Sequence, residues 1–142
     1  MAVKIFFDTN ILLYAYDTDA GEKRARAAAL VAEALCHPSH YALSVQVLQE
    51  FFVNFTRSGQ SDETAATLID DFSQWQIIAN THELFLNGLE ARARWKLSLW
   101  DSMIVAAAAH SGAAILYTED LNHRQHYGSV QAINPFLDSI KA

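Results

Sequence analysis

A chain of 142 residues, 51% hydrophobic and 18% charged, is long enough to bury a core of its own and too apolar to be disordered. Its formal net charge of −6 lacks the basic footprint usual for phosphate binding, a tension that cations held at an acidic site or a basic partner would relieve. The single cysteine, Cys36, excludes an intrachain disulfide and a Cys-based metal cage, and suits a reducing cytoplasm.

Lys4 to Phe7 is a short apolar run ending at Asp8 and predicts a buried strand; it is too short for a signal peptide. Residues 22–36 predict a helix, with Glu22 and Arg26 as an i,i+4 pair and His37-Pro38 as the stop. The stretch 17–22 lacks the terminal Glu of a calcium loop and reads as a turn and helix start. Tyr41 to Leu43 is a second strand. Ser44 then caps a helix carrying Val47, Leu48, Phe51, Phe52 and Phe55, ended by Gly59.

Residues 62–72 predict a further helix, Gln76 to Ala79 a strand, and residues 81–95 another helix with a Glu90–Arg94 pair. Ser98-Leu99-Trp100-Asp101 has the form of a capping box that opens a helix running to about His110, with Gly112 closing it. Ala113 to Tyr117 and Val130 to Ile133 are the last strands. Strands alternating with helices predict a single α/β domain over residues 1–142, with a mainly parallel sheet of about five strands covered on both faces. The uncharged run from Ser102 to Thr118 falls short of a membrane span, so a soluble cytoplasmic protein with no membrane association is expected.

In such a sheet ligands bind outside the carboxyl ends of the strands. Asp8 directly follows the first strand, and Asp120 lies three residues past Tyr117. Glu50 sits in the second turn of the helix after Leu43, about 9 Å along it. Asp101 opens the helix before the Ala113 strand. Topology therefore sets four acids on one rim. Each also has a plainer reading: Asp101 as a capping residue, Asp8 and Asp120 as turn residues, Glu50 as a solvated helix acid. At about 100° per residue, Glu50 falls beside Gln46, Asn54 and Arg57, away from the apolar face, which suits a groove or open solvent equally. Crowded carboxylates raise one another's pKa unless a cation compensates. Oxygen donors without His or Cys suit hard cations such as Mg²⁺ and Mn²⁺.

Five stretches resemble a PIN domain ribonuclease, specifically the VapC-type toxins of toxin–antitoxin pairs, in order and spacing over essentially the whole chain. They are Phe7 to Leu12 (Phe-Asp-Thr-Asn-Ile-Leu), Ser44 to Phe51, Leu99 to Ala108, Leu116 to Asn122 and Asn134 to Phe136. The resemblance implies a three-layer α/β/α sandwich and a Mg²⁺-dependent endoribonuclease, with Mn²⁺ as a substitute. It places the catalytic, metal-binding acids on Asp8, Glu50, Asp101 and Asp120, and supporting polar residues on Asn10, Ser44 and Thr118. It also implies an RNA substrate, a small cognate antitoxin lying over the groove, and a homodimer. Arg57, Arg124 and His123 are candidate RNA contacts, and Tyr14, Tyr16 and Trp100 candidate base-stacking residues beside their plainer packing role. Related sequences are expected to carry Gly where Arg124 stands. Rival readings are a PIN-like RNA-processing or DNA-directed nuclease outside any toxin pair, a catalytically silent RNA- or partner-binding module, and a metal-dependent phosphatase.

Overall fold

The computed structural model describes residues 3–137. In chain order its elements are β1 (Ile5–Phe7), α1 (Thr9–Ala15), α2 (Glu22–Cys36), a 3-10 turn at Pro38–His40, β2 (Tyr41–Ser44), α3 (Val45–Arg57) and α4 (Asp62–Phe72). There follow β3 (Gln76–Ile78), α5 (His82–Trp95), α6 (Leu99–Ser111), β4 (Ile115–Tyr117), β5 (His126–Tyr127) and β6 (Val130–Ile133). One sheet of order β3-β2-β1-β4-β6-β5 joins the strands, parallel except for the β5–β6 pair.

The three-layer α/β/α architecture and the mainly parallel sheet match the expectation, but among the described residues the sheet has six strands rather than about five. The extra one, β5, has only two residues, too few for any period to register in the sequence. Helix α1 is also new. It begins directly at the end of β1, with Asp8 as its N-cap accepting a hydrogen bond from the Thr9 amide. The expected side-chain pairs do not form either. Among the described residues neither Glu22–Arg26 nor Glu90–Arg94 is a salt bridge. Arg26 Nε donates to the Pro135 carbonyl, and the Arg94 guanidinium lies 4.4 Å from the Trp95 ring centroid.

Helix α6 is apolar almost all round and lies against five of the six strands, with α5 packed along it. Gly88 of α5 allows that packing: a Cβ there would stand 2.2 Å from Met103 Sδ. On the other side α1 packs on α2 and α3, and α3 on α4. The central strands carry the fully buried Phe6, Phe7, Leu43 and Leu116. Phe7 continues into an aromatic cluster through Tyr41 and Trp75, the latter donating its indole N–H to the Ala34 carbonyl at 2.9 Å. Burial of these rings, at roughly 25 cal/mol per Å² of apolar surface, holds the strand ends that carry the site in fixed register.

Candidate active site

Asp8 is placed by its chain neighbour Thr9 and by Tyr117 and Thr118 at the end of β4. Its amide donates to the Tyr117 carbonyl at 3.0 Å, extending the β1–β4 ladder by one residue. Its carboxylate accepts from the Thr9 amide on Oδ1 and from the Thr118 hydroxyl on Oδ2, each at 2.7 Å. Burial raises its pKa from 3.8 to about 7; the two hydrogen bonds oppose the rise, and Asp120 and Glu50 add to it.

Asp120 follows on the β4 side. Its amide donates to Thr118 Oγ1 at 3.0 Å, and its Oδ2 accepts from Asn10 Nδ2 at 3.0 Å. Thr118 thus bridges two acids, donating to one and accepting from the backbone of the other. Burial raises the Asp120 pKa, Glu119 and Glu50 raise it further, and Asn10 opposes them. The neighbouring Glu119 is held by the Tyr14 hydroxyl and by Lys23 Nζ at 2.8 Å, which ties α1 and α2 to the loop after β4.

Glu50 approaches from α3. Its two oxygens accept from the Thr9 hydroxyl at 2.7 Å and from Gln46 Nε2 at 3.3 Å. Gln46 also reaches the Trp100 carbonyl at 3.3 Å and so fastens α3 to the start of α6. Asp101 stands in the first turn of that helix, its amide capped by Ser98 Oγ at 3.1 Å. Its pKa too is raised, by burial first and then by Asp120 and Glu50, against the Ser98 hydrogen bond.

All four carboxylates line one cavity of about 240 Å³. Among the described residues its other walls are Thr9, Asn10, Leu13, Gln46, Asn54, Trp100 and Ile104, with no Lys, Arg or His. Among the described residues no three His, Cys, Asp or Glu side chains are placed so that they could together hold a metal ion. The acids stand around the space rather than collapsing onto one point. The donor set nevertheless suits a hard cation: every charged group is an oxygen donor, and Asn10 Oδ1 is buried without a hydrogen-bond partner. A larger cavity of about 440 Å³ lies between α5, α6 and the β5–β6 hairpin, but Glu90 is its only carboxylate among the described residues.

The family model of the PIN domain matches residues 5–128, most of the chain. The chain belongs to the PIN domain family. No curated protein matches it. Among solved structures it is similar to a toxin–antitoxin complex from Klebsiella pneumoniae, with a TM-score of 0.68 and 22% identity over 94% of this chain and 98% of that one. It is similar also to VapC20 of Mycobacterium tuberculosis, described as a sarcin-ricin loop cleaving toxin, with a TM-score of 0.67 and 22% identity over 82% and 90% of the two chains. DNA-bound VapBC from Salmonella typhimurium gives a TM-score of 0.63 and 16% identity over 92% and 96%. At such identities the likeness establishes the fold.

This PIN domain gathers Asp8, Glu50, Asp101 and Asp120 at one cavity with Asn10 in its wall and Thr118 directly behind. Ser44 lies elsewhere: it is buried, caps α3 through the Val47 amide at 3.3 Å, and is not among the cavity residues. Arg57, His123 and Arg124 do not line the cavity either. His123 Nδ1 accepts from the Asn134 amide at 3.0 Å, while Arg124 has φ +70° and donates its amide to the Ala132 carbonyl at 2.7 Å. Thr9 is a site residue that sequence reasoning did not single out, and Gln46 entered it only as a neighbour of Glu50 on a stripe that suited groove and solvent equally. Their signal was present, a hydroxyl directly after Asp8 and an amide one helical turn before Glu50.

Proposed function

We propose that this PIN domain is a Mg²⁺-dependent endoribonuclease, with Mn²⁺ as a working substitute, acting as the toxin of a toxin–antitoxin pair. The observation that carries the reading is the convergence of four acids from four segments on one cavity with an unpartnered Asn10 oxygen. Asp8 and Asp101 would be direct ligands of the cation, and Glu50 and Asp120 would complete the site. When bound, the cation would lower the pKa of an attacking water and neutralise charge on the phosphoryl and leaving oxygens.

The protein's own groups prepare the site. Thr118 and the Thr9 amide hold both oxygens of Asp8, so its carboxylate has one orientation. Thr9 and Gln46 do the same for Glu50, and Asn10 for Asp120. Leu13 and Ile104 supply apolar wall beside the acids. Burial first, and the neighbouring acids after it, raise the pKa values of Asp8, Asp101 and Asp120, and a cation held among them would favour their ionised forms.

The toxin reading is supported by the fold's likeness to toxin–antitoxin structures. In this reading the full chain is one PIN domain that homodimerises and acts on RNA in the cytoplasm, and a small antitoxin covers the groove. Among the described residues no helix is long and apolar enough to cross a membrane. The deciding experiment compares wild type with Asp101→Asn on fluorogenic RNA and DNA, with Mn²⁺ and with a chelator. Cation-dependent RNA cleavage by wild type and none by the folded variant is expected. Equal turnover by the two proteins overturns the assignment. Preferential DNA cleavage, or growth unaffected by expression, replaces the ribonuclease or toxin reading respectively.

A further inference from the structure

Trp100 is the most exposed large apolar side chain among the described residues, 63% accessible, and it stands on the rim of the acidic cavity. Its backbone is fixed on both sides. Gln46 Nε2 holds its carbonyl, and the next amide, that of Asp101, is capped by Ser98. The indole is therefore displayed from a rigid first helical turn, next to one of the four acids.

The other aromatic candidates are occupied. Tyr14 packs edge-on against Phe136 at 5.3 Å, and Tyr16 meets Phe51, Phe55 and Phe72. Trp75 is buried and Trp95 packs on Tyr127 at 5.6 Å. Among the described residues Trp100 is the sole aromatic in the cavity wall.

Charge gives this exposure a purpose. The net charge is −6 and no basic residue lines the cavity among the described residues, so phosphate attraction by their side chains supplies little of the affinity for RNA there. Stacking of a base on an aromatic face is independent of charge and works with any base. We propose that Trp100 is a stacking platform for an unpaired base of a single-stranded RNA next to the scissile phosphate. The proposal rests on the nuclease reading above.

Binding is tested in the Asp101→Asn background, with a fluorescein-labelled single-stranded RNA and anisotropy as the readout. Adding Trp100→Ala weakens binding about tenfold or more, and Trp100→Phe restores part of it. RNA quenches the tryptophan fluorescence of the Asp101→Asn protein, and the Trp100→Phe version loses most of that quenching. Placing one abasic nucleotide at the stacked position removes the difference between Trp100 and Ala. Phe85→Ala, which removes an exposed aromatic outside the cavity wall, serves as the control. Undiminished RNA binding by Trp100→Ala, with wild type still cleaving RNA, overturns the stacking role and leaves the nuclease reading intact. Weaker binding of a co-expressed protein inhibitor with RNA binding unchanged overturns it in favour of protein docking. Wild type that neither binds nor cleaves RNA overturns both.

Discussion

The Thr9 hydroxyl donates to Glu50 Oε1 at 2.7 Å, joining the first residue of α1 to the second turn of α3 across 41 positions of sequence. The same residue offers its amide to Asp8 at 2.7 Å, so Thr9 fixes two carboxylates at once. Removing only the hydroxyl separates these roles. Thr9→Val is expected to lower cleavage about tenfold, the range for losing a partner that orients a ligand, while Thr9→Ser retains most activity. Calorimetric titration with Mn²⁺ should show weaker cation binding in Thr9→Val alone. Equal Mn²⁺ affinity in all three proteins would contradict the orienting role.

Asp8 makes the cation-free protein pH-sensitive. Its folded-state pKa, raised from 3.8 to about 7, favours folding only while the carboxyl is protonated. That advantage is complete below pH 3.8, shrinks as pH rises toward 7, and is gone above it. With chelator present, Asp8→Asn should therefore stabilise the fold at pH 8 relative to wild type, by on the order of 2–4 kcal/mol, and hardly at all near pH 4. Thermal unfolding across this range checks the sign. Mn²⁺ should raise the wild-type Tm more at pH 8 than at pH 5, because the ionised carboxylates are the form that binds it.

Gly88 presents a contest between two effects. Alanine is the better helix former by about 1 kcal/mol, but its methyl would stand 2.2 Å from Met103 Sδ inside the α5–α6 contact. Met103 is itself only 8% exposed, so its escape displaces packed neighbours. Overpacking of this kind costs about 1–3 kcal/mol. Gly88→Ala is expected to destabilise by about 1 kcal/mol in urea unfolding. Combined with Met103→Ala, the same change should cost less than it does alone, and additive losses would show that the clash is not its cause.

Arg124 holds a left-handed backbone at φ +70°, a conformation that favours glycine. The loop requires it, because the Arg124 amide reaches Ala132 and its carbonyl accepts from Gln131 Nε2 at 3.0 Å. This supplies a physical reason for the expectation that relatives carry glycine there. Arg124→Gly should raise the urea midpoint by an amount equivalent to about 0.5–1 kcal/mol, the relieved strain exceeding the added freedom of the unfolded chain.

Much of this molecule could be read from its residues. Five strands stood out as apolar runs, and hydroxyl caps marked the starts of α3 and α6 at Ser44 and Ser98. Gly112, at φ +82°, ended α6 as expected. Helix α1 escaped because it has only seven residues and follows β1 with nothing but Asp8 between them, too short a stretch for a helical period to register. That omission explains the ambiguity of Glu50, whose helical angle suited solvent as well as a groove. The deciding hydroxyl comes from Thr9, on the helix that was not foreseen. Ser44 shows the opposite case, a polar residue at the right edge whose only partner is its own helix.

Strand β1 lies between β2, which follows it closely in sequence, and β4, which arrives more than a hundred residues later. A chain leaving the ribosome can therefore pair β1 with β2 and bring Asp8 near Glu50 while Asp101 and Asp120 are still unmade. The cavity closes only when β4 slots in on the open side of β1 and carries Thr118 up to Asp8. Synthesis order thus keeps the half-made protein without its full set of acids.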